Sequence, residues 1–269
     1  MAIEHFIATR QADARLVATE RPGQATGLAA AAVREGCAVV VAVGGDGTMN
    51  EVATALVGTG AVLGLIPCGS GNGLARHLGI PLRVPAALEV LLTGRPRLID
   101  SGLVNGRPFF NACGLGFEAE IAARFSQLTS RGLLGYTRVG CSTFFSHRAE
   151  TCLIRHDAGA TTVTAFTLAV LNSDQYGNDA IVAPGAAVDD GRLDLVAVPP
   201  VNFFQALGLL WRLVAKSFER APGVIRLQSG LFLIERTAPG PFHTDGEPRP
   251  PADRLEITVR PRSLKIMVP

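Results

Sequence analysis

Apolar positions along the first hundred residues recur at two alternating periods. GQATGLAAAAVREG (23–36) spaces small apolar residues as a helix does and stops at Gly36, whereas CAVVVAVGG (37–45) is a continuous β-branched run that predicts a buried strand. TMNEVATALVGTG (48–60) predicts a second helix, capped by Thr48 and with Val52 and Leu56 on one face. AVLGLIPCGSGNG (61–73) predicts a second buried strand entering a second glycine-rich turn. Helix and strand alternating in this way predict an α/β layer on a parallel sheet.

The pattern changes near 94–100, where turn signals lie closely spaced between short apolar stretches, and a helical insertion is expected over about 117–148. From 150 the chain reads mostly as strands, with one helical interruption near 203–220. The expected organisation is an α/β domain over 1–98 and a β-rich domain over 99–269.

At 48% hydrophobic residues over 269 positions, the chain can bury a substantial core. Its 25 Lys and Arg against 23 Asp and Glu are too balanced for a binder of nucleic-acid polymers. Five widely spaced cysteines without a C-x-x-C pair argue against a disulfide framework or structural zinc, and the cytosol is the expected compartment. Mean hydropathy is +0.29, yet the best candidate span, 201–215, contains Asn202, Gln205 and Arg212, so no transmembrane helix is expected. Segment 203–220 is then a helix packed on the β-rich domain or one lying on a membrane. Phe109, Phe110, Phe117 and Phe125 fill a core or line an acyl pocket.

Candidate chemistry concentrates in four places. In VAVGGDGTMNEV (41–52) a strand ends in Gly44-Gly45-Asp46-Gly47-Thr48 and a helix begins, which lets backbone N–H groups approach a phosphate; Asp46 could hold Mg²⁺ or orient a proton acceptor. IPCGSGNGLARHL (66–78) repeats the device with Gly69, Ser70, Gly71, Asn72 and Gly73, and Arg76 is a candidate phosphate contact. Each turn alone could be a plain strand-to-helix connection, and neither matches a P-loop or G-x-G-x-x-G. VDDGRLDLV (188–196) places Asp189 and Asp190 on a turn, and FHTDGEPRPP (242–251) holds Asp245 and Glu247 around Gly246 among prolines. Asp-Gly pairs between strands are commonly hairpin turns.

GGDGTMNEV, PCGSGNGLAR, DDGRLDLV and TDGEP, in that order, resemble the diacylglycerol kinase and sphingosine kinase superfamily. The resemblance implies an α/β nucleotide-binding domain with a parallel sheet, a C-terminal β-sandwich and an active site in the cleft between them. It implies ATP with Mg²⁺ as cofactor and phosphorylation of a lipid alcohol such as diacylglycerol or a sphingoid base, at the cytoplasmic surface of a membrane, with a homodimer possible. Nucleotide contacts carry over to Thr19, Gly44, Gly45, Asp46, Gly47, Thr48, Met49, Asn50, Glu51, Gly69, Ser70 and Asn72, with Glu51 ordering the loop. The metal carries over to Asp190 with backbone oxygens of Ala187 and Arg192, and the proton acceptor to Asp245 or Glu247, or to Asp46. The family's usual first strand, ending in an Asn-Pro turn, is not seen before residue 23. An NAD-kinase-like enzyme acting on a soluble substrate and a catalytically weak nucleotide- or lipid-binding protein are the alternatives.

Overall fold

A computed structural model describes residues 2–126, 140 and 142–269. Two compact units form, Met1–Ile99 with Arg262–Pro269, and Asp100–Pro261. In chain order the elements are α1 (Ala2–Arg10), α2 (Gln24–Arg34), β1 (Val39–Gly44), α3 (Asp46–Leu56), β2 (Val62–Pro67), α4 (Gly73–His77), α5 (Val84–Thr93) and β3 (Arg95–Val104). They continue with β4 (Arg107–Phe109), β5 (Ala112–Gly116), α6 (Phe117–Ser126), α7 (142–146), β6 (Glu150–His156), β7 (Gly159–Ala165) and β8 (Thr167–Leu171). The last are β9 (Leu193–Val198), α8 (Phe203–Val214), β10 (Ile225–Ser229), β11 (Leu231–Thr244) and β12 (Glu247–Val268).

In the first unit β1 and β2 pair in parallel from Val39↔Val62 to Gly44↔Pro67, so both strands end level. All six residues of β2 are buried, as its unbroken apolar sequence requires, and the end of β12 lies parallel beside it through Lys265 and Ile266. The expected boundary assigned these last residues to the second domain; the final eight pack with the first compact unit. α3 begins at Asp46, two residues before the expected Thr48 cap, because Asp46 and Gly47 are already helical and Met49 N–H donates to Gly45 O at 3.0 Å. Thr48 packs against Gly44 instead.

The second unit is the expected β-sandwich-like domain. Antiparallel pairings run β6–β11–β12 and β11–β5–β8–β9–β10, so β11 serves both layers, its start against β6 and its end against β5. Phe109, Leu168, Phe232, Ile234, Leu255 and Ile257 fill the core between them. Phe109 and Phe110 are wholly buried and serve packing, and Phe117 stacks near Phe166 with ring centroids 4.6 Å apart. The side chain of Phe125 lies outside the described residues, as do Arg131 and Arg138 of the expected helical insertion. No described helix is long and apolar enough to cross a membrane.

Candidate active site

Because β1 and β2 end level, the two glycine-rich turns emerge side by side. A Cβ placed on Gly69 would lie 2.5 Å from Gly45 Cα, so the two backbones touch and neither position admits a side chain without separating them. Three sets of hydrogen bonds hold this contact. Cys68 N–H donates to Gly44 O at 2.8 Å. Asn72 Oδ1 accepts from Gly69 N and Asn72 Nδ2 donates to Gly69 O, closing the second turn on itself with Asn72 in the left-handed region at φ 51°. Asp46 then joins the turns, its Oδ2 accepting from Asn72 N at 2.8 Å and its Oδ1 from Gly73 N at 2.9 Å. Asp46 therefore caps the short helix α4 across 26 residues of sequence.

The start of α3 has no side-chain cap, so its first amides point at the turns unclaimed by any capping side chain. A small pocket lined by Gly44, Gly45, Asp46, Met49, Asn72 and Leu74, among others, opens there. Gly69 and Ser70 are exposed, Met49 and Asn50 buried. Glu51 was expected to order the loop of its own motif; its two carboxylate oxygens accept from Gly23 N at 2.7 Å and Ala25 N at 2.9 Å, fixing the start of α2. Thr19 is exposed in the irregular chain just before α2, and Arg76 Nε donates to Gly71 O at 3.0 Å.

In the second unit Asp245 and Gly246 form the tip of the β11–β12 hairpin, with φ of 49° and 81° and Thr244 paired to Glu247. The Asp-Gly pair is thus a hairpin turn, but Asp245 does more. Buried at 8% exposure, it turns its carboxylate inward to accept from Phe110 N at 2.9 Å, Asn111 N at 2.8 Å and Ala112 N at 2.9 Å. Glu247 is exposed on the same turn.

Sequence reasoning passed over the neighbours of Asp245. Glu118 at the start of α6 brings Oε1 within 3.7 Å of His243 Nε2, and Tyr176 hydrogen-bonds to the same carboxylate. Both groups press on Gly114, whose Cα faces Glu118 and His243 where any Cβ would collide. Burial, then the Glu118 charge, pushes the Tyr176 phenol well above its usual range. Burial, then Glu118 and Asp245, likewise pushes up the Cys113 thiol between them. The only local signal was a lone carboxylate after the small-residue run ACGLGF.

The proposed metal position does not assemble a cage. Asp190 is exposed, its Oδ1 accepts from Arg192 N at 2.9 Å and its Oδ2 from Gln228 Nε2 at 3.2 Å, while Ala187 and Arg192 would offer only carbonyls. Asp194 nearby has its carboxyl raised by burial and then by the Asp190 charge. Among the described residues no three His, Cys, Asp or Glu side chains converge. Asp190 with the two backbone carbonyls would leave the rest of an octahedral Mg²⁺ shell to water.

Family models divide the chain near the same first boundary and keep its end with the second domain. The diacylglycerol kinase catalytic domain matches residues 1–104, and the YegS C-terminal NAD kinase beta sandwich-like domain matches residues 111–268. A "Probable lipid kinase YegS-like" of Pseudomonas aeruginosa is 32% identical over 93% of this chain and 83% of its own length. The uncharacterized protein sll0036 of Synechocystis is 29% identical over 87% of this chain, which spans 56% of that longer protein. A solved structure described as a diacylglycerol kinase of Bacillus anthracis shares the fold with a TM-score of 0.75 at 21% identity, covering 93% of this chain and 84% of its own. With both domains matched in order, the chain belongs to the family of YegS-like lipid kinases built on the diacylglycerol kinase catalytic domain.

Proposed function

We propose that the protein transfers the γ-phosphate of ATP to the hydroxyl of a membrane lipid such as diacylglycerol or a sphingoid base. The observation that carries the reading is the pair of glycine turns locked edge to edge by Asp46, which leaves the first amides of α3 without a capping side chain beside the exposed Ser70 and a small pocket lined by Gly44 and Gly45. Mg²⁺ enters with the nucleotide as part of the substrate. The lipid oxygen attacks Pγ in line, the bond from Pγ to the β–γ bridging oxygen breaks, and ADP leaves with its electron pair. The hydroxyl proton passes to a carboxylate of the 245–247 hairpin. Glu247 is the more accessible of the two, and Asp245 holds the hairpin in shape. Asp46 is the weaker candidate because both its oxygens serve the second turn.

Radiolabelled ATP offered to vesicles containing a panel of lipid alcohols tests this. Label appearing in a lipid product supports the reading. Label on NAD and on no lipid would replace it with a soluble-substrate kinase.

A further inference from the structure

Helix α8 is apolar on two faces, and among the described residues only one of them has a partner in the fold. Leu209 and Leu213 pack inward with Val182, Val198 and Phe218. Phe204, Leu207, Trp211 and Val214, at the i, i+3, i+7, i+10 spacing of a single stripe, face outward at 81%, 47%, 70% and 76% exposure. Phe203 and Leu210 border the stripe. Phe145 of α7, 77% exposed, extends it, its ring stacked on Phe203 at 6.1 Å and 16°. The patch is held in place by its backing. Arg124 of α6 donates to Thr143 and Ser146, His147 bonds Glu120, and the Asn202–Gln205 capping box fixes the start of α8.

Charge selects the occupant. From Pro199 to Phe218 there is no Asp or Glu; the only charges are Arg212 and Lys216, at the C-terminal end of the helix. A partner protein's apolar groove would need no such bias, whereas an anionic bilayer supplies both an acyl layer and phosphates at its edge. The helix has 12 residues, too few to span, so it lies along the surface. We propose that the outward stripe of α8, with Phe145, is a docking surface that lays this unit on an anionic lipid bilayer. Arg124 of α6 contributes less here, because it is engaged with Glu120, Thr143 and Ser146.

The inference rests on the lipid-kinase reading for its purpose but not for its test. Trp211 is the only tryptophan of the chain, so its fluorescence reports the stripe directly. Vesicles of phosphatidylcholine with phosphatidylglycerol, added without ATP, should shift its emission to the blue, and pure phosphatidylcholine should bind about tenfold more weakly. In co-sedimentation, F204S/W211S should lose about tenfold or more in affinity for the anionic vesicles with an unchanged thermal midpoint. Arg212→Gln and Lys216→Gln should each lose about fivefold. No blue shift with anionic vesicles overturns the proposal. A blue shift that instead follows protein concentration without lipid makes the face a contact between two copies and also overturns it. Docking without phosphorylation of any lipid leaves this proposal standing and removes the kinase reading. Undiminished phosphorylation of vesicle lipid by F204S/W211S does the reverse.

Discussion

Asp46 and Asp245, one in each unit, grip backbone amides in the same way and to opposite ends. Asp46 is half-buried and binds two amides of the neighbouring turn, leaving exposed Gly69 and Ser70 beside an uncapped helix start. Asp245 is buried and binds three amides at the entry to β5, so those donors are spent on the fold. One carboxylate shapes a surface that can still receive an anion. The other builds a rigid hairpin whose second carboxylate, Glu247, stays in reach of solvent. A carboxylate beside a glycine turn is therefore not by itself a sign of chemistry, since what matters is which donors it leaves unclaimed.

The largest effect should come from Glu247. Glu247→Gln keeps shape and removes only the charge of an exposed group, so turnover should fall about 10²- to 10⁴-fold with ATP affinity and thermal midpoint unchanged. Full turnover in this variant would move the proton acceptor to Asp245. Next comes the touching pair of turns. Gly69→Ala drives a methyl into Gly45 Cα and should weaken ATP binding about 100-fold, as should Gly45→Asp, while Gly60→Ala, with open space around it, should change nothing. Equal ATP affinity in Gly69→Ala and Gly60→Ala would dissolve the phosphate-loop assignment.

The direct comparison of the two grips comes third. Asp245→Asn points an amide N–H₂ at backbone N–H donors inside the protein, which should cost about 3 kcal/mol of stability in urea unfolding. Asp46→Asn faces the same conflict in a wetter place; its expected cost is roughly 1 kcal/mol of stability, with about a tenfold loss of ATP affinity. If Asp46→Asn destabilises the fold as much as Asp245→Asn and leaves ATP binding alone, the contrast between the units is wrong.

These differences track what the sequence could display. Glycine runs at the ends of β-branched stretches were legible because local chemistry demands them, and they located both turns and the parallel pairing of β1 and β2. The partner of each carboxylate was not legible. Asp46 and Asn72 meet across 26 residues, Asp245 and Asn111 across 134, and no local spacing encodes such a pair. Glu118, His243 and Tyr176 were missed for the same reason. The apolar spacing of α8 was visible at once, but with Leu209 and Leu213 matching the outer stripe in hydrophobicity, only the packed structure separates the inward face from the outward one. That the last eight residues lie with the first compact unit was not legible, because β12 runs 22 residues without a break and contributes to both units, so no turn marks the transfer.

The smallest effect expected is also the most local test of the first unit. Cys68 is exposed and sits between Pro67 and Gly69, its own N–H tied to Gly44 O, so a nucleotide resting on the turns would cover its thiol. Cys37 is equally exposed but lies ahead of β1, at the opposite end of the strand from the turns. Saturating ATP should slow iodoacetamide labelling of Cys68 about fivefold or more and leave Cys37 unchanged. The buried thiols set the background. Burial, followed by the Glu150 charge, pushes Cys152 from 9.0 up to about 11, and burial raises Cys113 further, so neither should label near pH 8. The sign also fixes a pH dependence. The folded chain keeps the Cys152 proton where the unfolded chain has begun to lose it, so the stabilisation is complete below about pH 9 and declines towards pH 11. Labelling is therefore run near pH 8, below that window. Trypsin leaves both cysteines on one peptide, 35–76, so cleavage after Glu51 by a Glu-specific protease separates them for mass spectrometry, and equal protection of Cys37 and Cys68 by ATP would mean that the nucleotide tightens the whole fold instead of resting on the second turn.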